Sequence, residues 1–520
     1  MRTHRCGRRR VVLAMLVTGG MLAASCRSGK SLTNAGIERK PAPTTAATVP
    51  VSTLPGETLP PGQTVPTIPP TAPPTTLPAL LDTLPRCNTA ALNSASAPVQ
   101  ITFWHGLANE LGVELQTLTG QYNSSQTKVH VNLEFQGGYD QTIDKYLQSN
   151  SATRPDMVQM PEYMVQQMID TKSIVPAQAC AESSKYDLSP FLPQALGAYA
   201  TQGVQWSMPF NMSVPVLFFL KARFAAAGLD PNSPPGTLEQ LLAVGKQIVS
   251  SGASKYSISL DSDFDGGGGW YVEQWLAKGG EFYADNQNGR AAPATRVLYD
   301  GPAGVQLLTF LKSLVTDGGA VYVGDNASGT DTLLKLADAT EPAAMTIATS
   351  ASLGPILAFV RGGIIPGITE DQVGVGFMPG PGGGPGALVG GASLYVVAGK
   401  GDAKAAAAWD YIKFLESAQA QSDWAAATGY IPVRQDALSL DPIKSLYVSD
   451  PRFKVAYDQL LGSKDGPTSK GPVIGPLLQV RKVTAAAVAT VLTGGDPQTA
   501  LSAAARQADD LISNYLLQNP

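Results

Sequence analysis

A two-lobed α/β fold is what this chain predicts, and three observations predict it. Stretches with strand periodicity alternate with stretches of helical periodicity, the pattern that builds sheets with helices on their faces. About 430 residues follow Cys87, too many for one ordinary core and suited to two. Polar Asn211 and Ser213 stand just before the apolar run Val214 to Leu220, between Phe210 and Pro215. Hydroxyl and amide groups at the mouth of a core strand suit a small ligand that meets the backbone there.

The N-terminal segment is set apart from the fold. Arg2, Arg5, Arg8, Arg9 and Arg10 precede the apolar stretch Val11 to Ala24, which is too short for a membrane span. It ends in "LAASC", with small residues before Cys26, a pattern that resembles a bacterial lipoprotein signal with Cys26 lipidated. Sec and twin-arginine export both stay open. Residues 40–86 are mostly Pro, Thr, Ala, Val and Gly, a composition that cannot bury enough apolar surface to offset chain entropy. The expectation is a disordered tether holding a domain away from the outer face of the membrane. Once Cys6 and Cys26 are set aside, Cys87 and Cys180 remain, and two thiols in an exported chain predict one disulfide.

Along the body, "VQITFWHG" is a strand, and "NELGVELQTLTGQYNSS" a helix with Leu111, Val113, Leu115, Leu118 and Tyr122 as its stripe. "KVHVNLEFQG" and "PDMVQMP" are strands flanking the helix "YDQTIDKYLQSN". Later helices are "TLEQLLAVGKQIVSSG", "AGVQLLTFLKSLVTDGG" and the long "DAKAAAAWDYIKFLESAQAQSDWAAATG". Such alternation predicts mainly parallel sheets, with ligands beyond the carboxyl ends of strands. "FQGGY" and "QMPE" lie at two such ends.

Composition excludes several classes of function. A net charge of −4 with 15% charged residues gives no basic face for nucleic acid. Apart from the leader, only His105 and His130 are histidines, and HExxH, CxxC and GxSxG are absent, so neither a His triad nor a His/Cys metal site has material. "PGPGGGPG" lacks the Lys-Ser/Thr ending of a phosphate loop and reads as a hairpin loop; "GGGGW" also reads as a loop. Asp261, Asp263 and Asp265 match the first half of a calcium loop, but Val272 stands where the closing Glu belongs, so a solvated loop is favoured. No metal and no cofactor are expected.

The blocks "ITFWHGLANELGVELQTLTGQYN", "RPDMVQMPE", "MPFNMSVPVLFF", "AAMTIATSASL", "GGASLYVVAGK" and "ATGYIPV" resemble, in order and spacing, bacterial extracellular solute-binding proteins of the maltodextrin-binding class. Within that class the similarity is to the glycerol-3-phosphate and glycerophosphodiester-binding lipoproteins of ABC importers, over roughly residues 98–515. The resemblance implies a periplasmic-binding-protein-like fold of class II type. Its first lobe would be residues 87–213 and 349–396, its second 214–348 and 397–520, with the ligand in the cleft between them. Residues 1–26 are then the signal and 27–86 the tether. The same resemblance implies that Tyr139 stacks on or hydrogen-bonds the ligand, Glu162 accepts from two ligand hydroxyls, and Ser213 donates to a polar oxygen. Thr349 keeps a hydroxyl where the family has serine, Gly391 offers a backbone N–H at close approach, Trp270 walls the cleft, and Tyr430 closes it from the second lobe.

One departure bears on the ligand. The family's phosphate-gripping arginine falls in a segment that reads "SKGPVIGP" here, with Val473 at that position and Lys470 nearby. A glycerophosphodiester, or a neutral sugar or polyol, survives that loss better than glycerol-3-phosphate. The implied action is hinge closure around a small polar solute and delivery to permease subunits by a monomeric receptor that catalyses nothing. The alternatives are an oligosaccharide receptor of a carbohydrate importer, an exported hydrolase using Glu162 with a nearby Asp, and a structural envelope protein.

Overall fold

Thirteen strands among the described residues sort into two sheets and a small hairpin. The computed structural model describes residues 83–519 apart from 327, 328, 366 and 465, and these belong to one compact unit. The signal, Cys26 and nearly all of the tether lie outside the described residues. In chain order the strands are β1 (Val99–His105), β2 (Val129–Phe135), β3 (Met157–Pro161), β4 (Ile174–Val175), β5 (Ala200–Thr201), β6 (Val204–Gln205) and β7 (Met208–Ser213). They continue with β8 (Pro215–Leu220), β9 (Tyr256–Leu260), β10 (Val321–Tyr322), β11 (Ala343–Thr349), β12 (Val373–Phe377) and β13 (Gly390–Val397).

The first sheet runs β2-β1-β3-β13-β4, with β7 also paired to β13; the second runs β10-β9-β11-β8-β12. Each is mixed rather than mainly parallel. β1 pairs in parallel with β2 and β3, and β9 with β10 and β11, whereas β13 and β8 run antiparallel to every neighbour. The antiparallel pairs arise where the chain returns from one sheet to the other, because a strand entering from the opposite lobe arrives with reversed direction.

The run that the sequence presents as one apolar strand is in fact two. β7 ends at Ser213 in the first sheet and β8 starts at Pro215 in the second, so the chain changes sheet at Val214. It returns between Phe377 and Gly390, since β12 pairs with β8 in the second sheet. The expected division, which puts 349–396 wholly in the first lobe, therefore differs from the strand pairing over β12. It differs again after 397: the helix Asp402–Leu415 packs on β1 and β13, and the helix Ala418–Thr428 on Asn109–Ser125, all on the first-sheet side.

Those last two helices were expected as one. Ser417 interrupts them: its backbone is extended and its side chain accepts from the N–H of Ala420, an N-cap that starts a new helix. In the helix Asn109–Ser125, Leu115, Leu118 and Tyr122 are buried as expected, but Val113 is 62% exposed, and Gly112 and Thr119 take the inner face. Thr237 and Gln240 form a capping box at the start of the helix Leu238–Ser250. Cys87 and Cys180 form a disulfide across 93 residues, with Cys180 inside the helix Ala177–Ser184 rather than in a loop. No described helix is long and apolar enough to cross a membrane.

Candidate functional site

The site grows from the carboxyl end of β3. Glu162 follows Pro161 and opens a single turn, Glu162–Met164, beyond the strand end where α/β sheets hold their ligands. β13 lies beside β3, and β7 lies beyond β13, so their ends form the floor.

On that floor Asn211 organises the polar groups. It is fully buried; its Oδ1 accepts from Gln159 Nε2 at 2.7 Å, and its Nδ2 donates to the Tyr139 hydroxyl at 2.8 Å. Gln159 in turn accepts from the N–H of Gly106 at 3.0 Å. This chain of bonds answers why an amide stands before a core strand: both of its ends are used, and it fixes the Tyr139 phenol. Tyr430 brings its hydroxyl to Asn211 and Tyr139, and burial raises its pKa, as burial and Tyr430 together raise that of Tyr139. Both phenols stay protonated at neutral pH and have a proton to donate.

Gly391 sits on β13 opposite Met212, with φ +101°, just before the register slips by one residue between Ala392 and Ser393. A Cβ there would lie 1.9 Å from the Asn211 carbonyl oxygen, so only glycine fits. Gly390 makes room in the same way for Trp270, whose ring lies 2.2 Å from the position a Cβ would take. Trp270 begins the helix Trp270–Gly279 on the second-sheet side, is buried, and has no hydrogen-bond partner for its indole N–H. The four glycines before it are a buried turn rather than a loose loop: Gly266 faces the Asp261 carboxylate, and Gly267, Gly268 and Gly269 face the backbone carbonyls of Asp261, Ser262 and Phe264.

Ser213 is buried at the end of β7, in register with Gly390. Thr349 ends β11 opposite Pro215. Next to it, Ser350 donates its backbone N–H to Val214 at 2.9 Å, while its buried hydroxyl has no protein partner. Tyr430 stacks on Trp424 (5.9 Å between centroids, 13° between planes), and Trp424 stacks on Phe210 of β7. Tyr430 therefore belongs to the first-sheet side, against the expectation that it closes the cleft from the second.

A charged cluster spans the two sides. Arg481, on the helix Leu477–Leu492, is 1% exposed. Its Nε and Nη2 meet the two carboxylate oxygens of Glu273 at 2.6 and 2.8 Å, a bidentate pair. Its Nη1 lies 2.9 Å from Glu162 Oε1 and 3.3 Å from Asp265 Oδ1, and its guanidinium lies 5.1 Å from the Tyr163 ring centre. Burial raises the pKa of Glu162, and Arg481 opposes that rise. Tyr199 has a fully buried hydroxyl without a protein partner, within reach of the charge of Glu162.

Arg481 and Glu273 are the functional candidates that sequence reading missed, and the signal was present. A lone arginine in "LLQVRKV" and a lone glutamate in "WYVEQWL" each interrupt an apolar helix face, and buried charges come in pairs. Asp265, read as part of a solvated loop, turns its carboxylate to Arg481. Val473 is buried with its N–H bonded to Asn288 at 2.8 Å. It lines a cavity of about 240 Å³ with Asp170 and Tyr515. The Lys470 side chain lies along Gly197, and its carbonyl accepts from Arg290.

Two sheets exchanging strands around a cleft floor, with polar side chains converging from both sides, define a class: two-lobed solute receptors. Residues 117–454 match the bacterial extracellular solute-binding protein family, and the chain belongs to it. It is 29% identical over 446 residues to the sn-glycerol-3-phosphate-binding periplasmic protein UgpB of Pectobacterium atrosepticum, covering 83% of this chain and 96% of that one. It is 28% identical to the protein of that name from Escherichia coli K12, over 82% and 95% of the two chains. Among solved structures, UgpB from Mycobacterium tuberculosis in complex with glycerophosphocholine superposes with a TM-score of 0.66 at 20% identity, covering 81% of this chain and all of that one. The cyclic α-maltosyl-1,6-maltose binding protein of Arthrobacter globiformis superposes with a TM-score of 0.65, also at 20% identity, covering 80% of this chain and all of that one.

Proposed function

We propose that this protein is the extracellular receptor of an ABC importer. It takes a small polar solute between its two sheets by hinge closure and hands it to permease subunits. The observation that carries the reading is the convergence of Tyr139, Asn211, Tyr430 and Glu162 from one side with Trp270 and Arg481 from the other. Tyr139, Tyr430 and Ser213 supply donors, Glu162 an acceptor for ligand hydroxyls, Trp270 an apolar wall, and Thr349 with Gly391 the edge of the floor. Contacts made from both lobes at once favour the closed form by their differential binding energy. The receptor works as a monomer held to the membrane through lipidated Cys26 and the tether.

The ligand class favoured is a glycerophosphodiester, because a bound glycerol end matches Glu162 and Tyr139 while the phosphate-gripping arginine is replaced by buried Val473. A sugar or oligosaccharide is the second reading, supported by the likeness of the fold to sugar receptors. Thermal unfolding of the purified domain, residues 87–520, with glycerophosphocholine, glycerol-3-phosphate, glycerol, maltose and trehalose separates them. A solute at a hundredfold over its Kd adds about 2.7 kcal/mol, a rise of a few degrees. Maltose or trehalose giving the larger rise selects the second reading. Product formation from glycosides or phosphodiesters under the same conditions selects an enzyme instead.

A further inference from the structure

We infer that Gly390 sets the width of the solute cleft. It is a positioning residue that acts through Trp270: having no side chain, it seats the indole ring, and the seated ring decides how large a solute the site admits. The inference rests on the proposed receptor function and adds a determinant of selectivity to the same cleft.

A Cβ on Gly390 meets three atoms of the Trp270 ring first, Cζ2 at 2.2 Å, Cε2 at 2.7 Å and Cη2 at 2.8 Å. Ordinary contact begins at 3.4 Å, so a methyl group at this position has to push the ring edge outward. Gly390 opens β13 with its φ outside the left-handed region, so alanine brings no backbone strain there and the ring is what it disturbs. Gly391, next in the strand, differs on both counts: its φ is +101°, and backbone stands against its Cβ.

Packing alone holds the ring in place, because its indole N–H has no protein partner although the residue is buried. The helix Trp270–Gly279 behind it is tied to the segment that leads into β13. Gln274, fully buried, exchanges two hydrogen bonds with the backbone of Leu388, at 2.9 and 2.7 Å. The Trp275 indole N–H donates to the Pro379 carbonyl at 2.8 Å. With helix and strand start fixed to each other, a methyl group at position 390 tilts the ring. Tyr271 stands to one side, with 5.8 Å between ring centroids, and under the receptor reading another side is the cleft. A ring tilted that way takes space from the solute, and a large solute loses more than a small one.

Titration calorimetry on the purified protein tests the inference with glycerophosphocholine, maltose and glycerol, the last also by competition against the larger solutes. The proteins compared are the unmodified chain, Gly390→Ala, Trp270→Phe and the double variant. Gly390→Ala is expected to weaken the tighter-binding of glycerophosphocholine and maltose by about tenfold or more, and glycerol by less than about threefold. Trp270→Phe removes the outer ring atoms that meet the methyl group. The double variant is therefore expected to bind the larger solute about threefold or more tightly than Gly390→Ala does, a rescue that general damage to the fold does not give. Undiminished binding of the larger solute by Gly390→Ala overturns the inference and leaves the receptor reading standing. An equal loss for all three solutes overturns it as well, and so does a folded double variant no better than Gly390→Ala. A Gly390→Ala protein that does not fold also overturns it, since the methyl group then disturbs more than the ring. If the folded, unmodified protein binds none of the three, the receptor reading for this ligand set falls first and the inference falls with it.

Discussion

Asp261 shows how much a single carboxylate costs this fold. It directly follows β9, is buried, and its Oδ1 accepts from the N–H groups of Asp263 at 3.0 Å and Gly267 at 2.8 Å. Burial outweighs those two bonds and pushes its pKa up to about 6. The folded state therefore holds a proton between about pH 4 and 6 that the unfolded chain has released, so this group's contribution to stability falls as pH rises through that window. Asp261→Asn keeps an oxygen for both N–H groups and carries no charge. Its stability relative to the unmodified protein is expected to improve by about 1–3 kcal/mol between pH 4.5 and pH 7.5. Urea unfolding of both proteins at the two pH values measures this; parallel behaviour of the pair would remove Asp261 as the cause. Residues of this kind are hard to read from sequence. The sequence places Tyr139 and Glu162 just past strand ends, but the weight of Asp261 depends on its burial, and that of Glu273 and Arg481 on burial and on a partner 208 positions away in the chain.

At the scale of elements, β13 carries the site and Gly391 is its weak point. The strand joins β3, β4 and β7, its register against β7 slips at Ala392/Ser393, and Asn211, paired with Ala392, donates to the Tyr139 hydroxyl. Gly391→Ala meets two penalties together: a φ of +101° and a Cβ at 1.9 Å from the Asn211 carbonyl oxygen. We expect a loss of about 2–4 kcal/mol, with weakened solute binding because Asn211 shifts. Gly399→Ala is the control, since its φ is +79° but nothing stands within 4 Å of the new Cβ. It should cost about 1 kcal/mol and leave binding intact. Thermal unfolding and calorimetry on the two variants decide between clash and simple backbone strain. Sequence periodicity found the helices and strands on either side of this point because each buries a regular face. The break at Ser417 and the antiparallel return of β13 were not legible: an alanine-rich run keeps helical periodicity through a cap, and strand direction depends on which lobe the chain has just left.

Over the whole molecule, length and alternation were enough to predict two lobes, while the crossing points depended on pairings made far apart in sequence, such as β12 with β8. The two sides meet at several contacts, and under the proposed hinge closure their strength sets the balance between open and closed forms. Besides Arg481 with Glu162, Arg290 donates to the carbonyls of Gly197 at 3.1 Å and Ala200 at 2.9 Å, and the Tyr515 hydroxyl donates to Asp170 Oδ2 at 2.7 Å. Tyr515 lies on the C-terminal helix Pro497–Gln518, and Asp170 ends the helix Val165–Asp170 behind Glu162. This hydrogen bond touches none of the candidate ligand contacts, so it changes affinity only by changing the population able to bind. Tyr515→Phe keeps the ring against Gly475 and removes the bond alone. A hydrogen bond to a charged acceptor contributes about 1.5 kcal/mol, so the variant should bind whichever solute stabilises the domain about tenfold more weakly. Its radius of gyration by small-angle scattering should be larger than that of the unmodified protein without solute, and equal to it at saturation. Unchanged affinity with an unchanged radius would mean that the Tyr515–Asp170 contact survives equally in both forms, and that closure is governed at the Arg481 cluster and the Arg290 contacts.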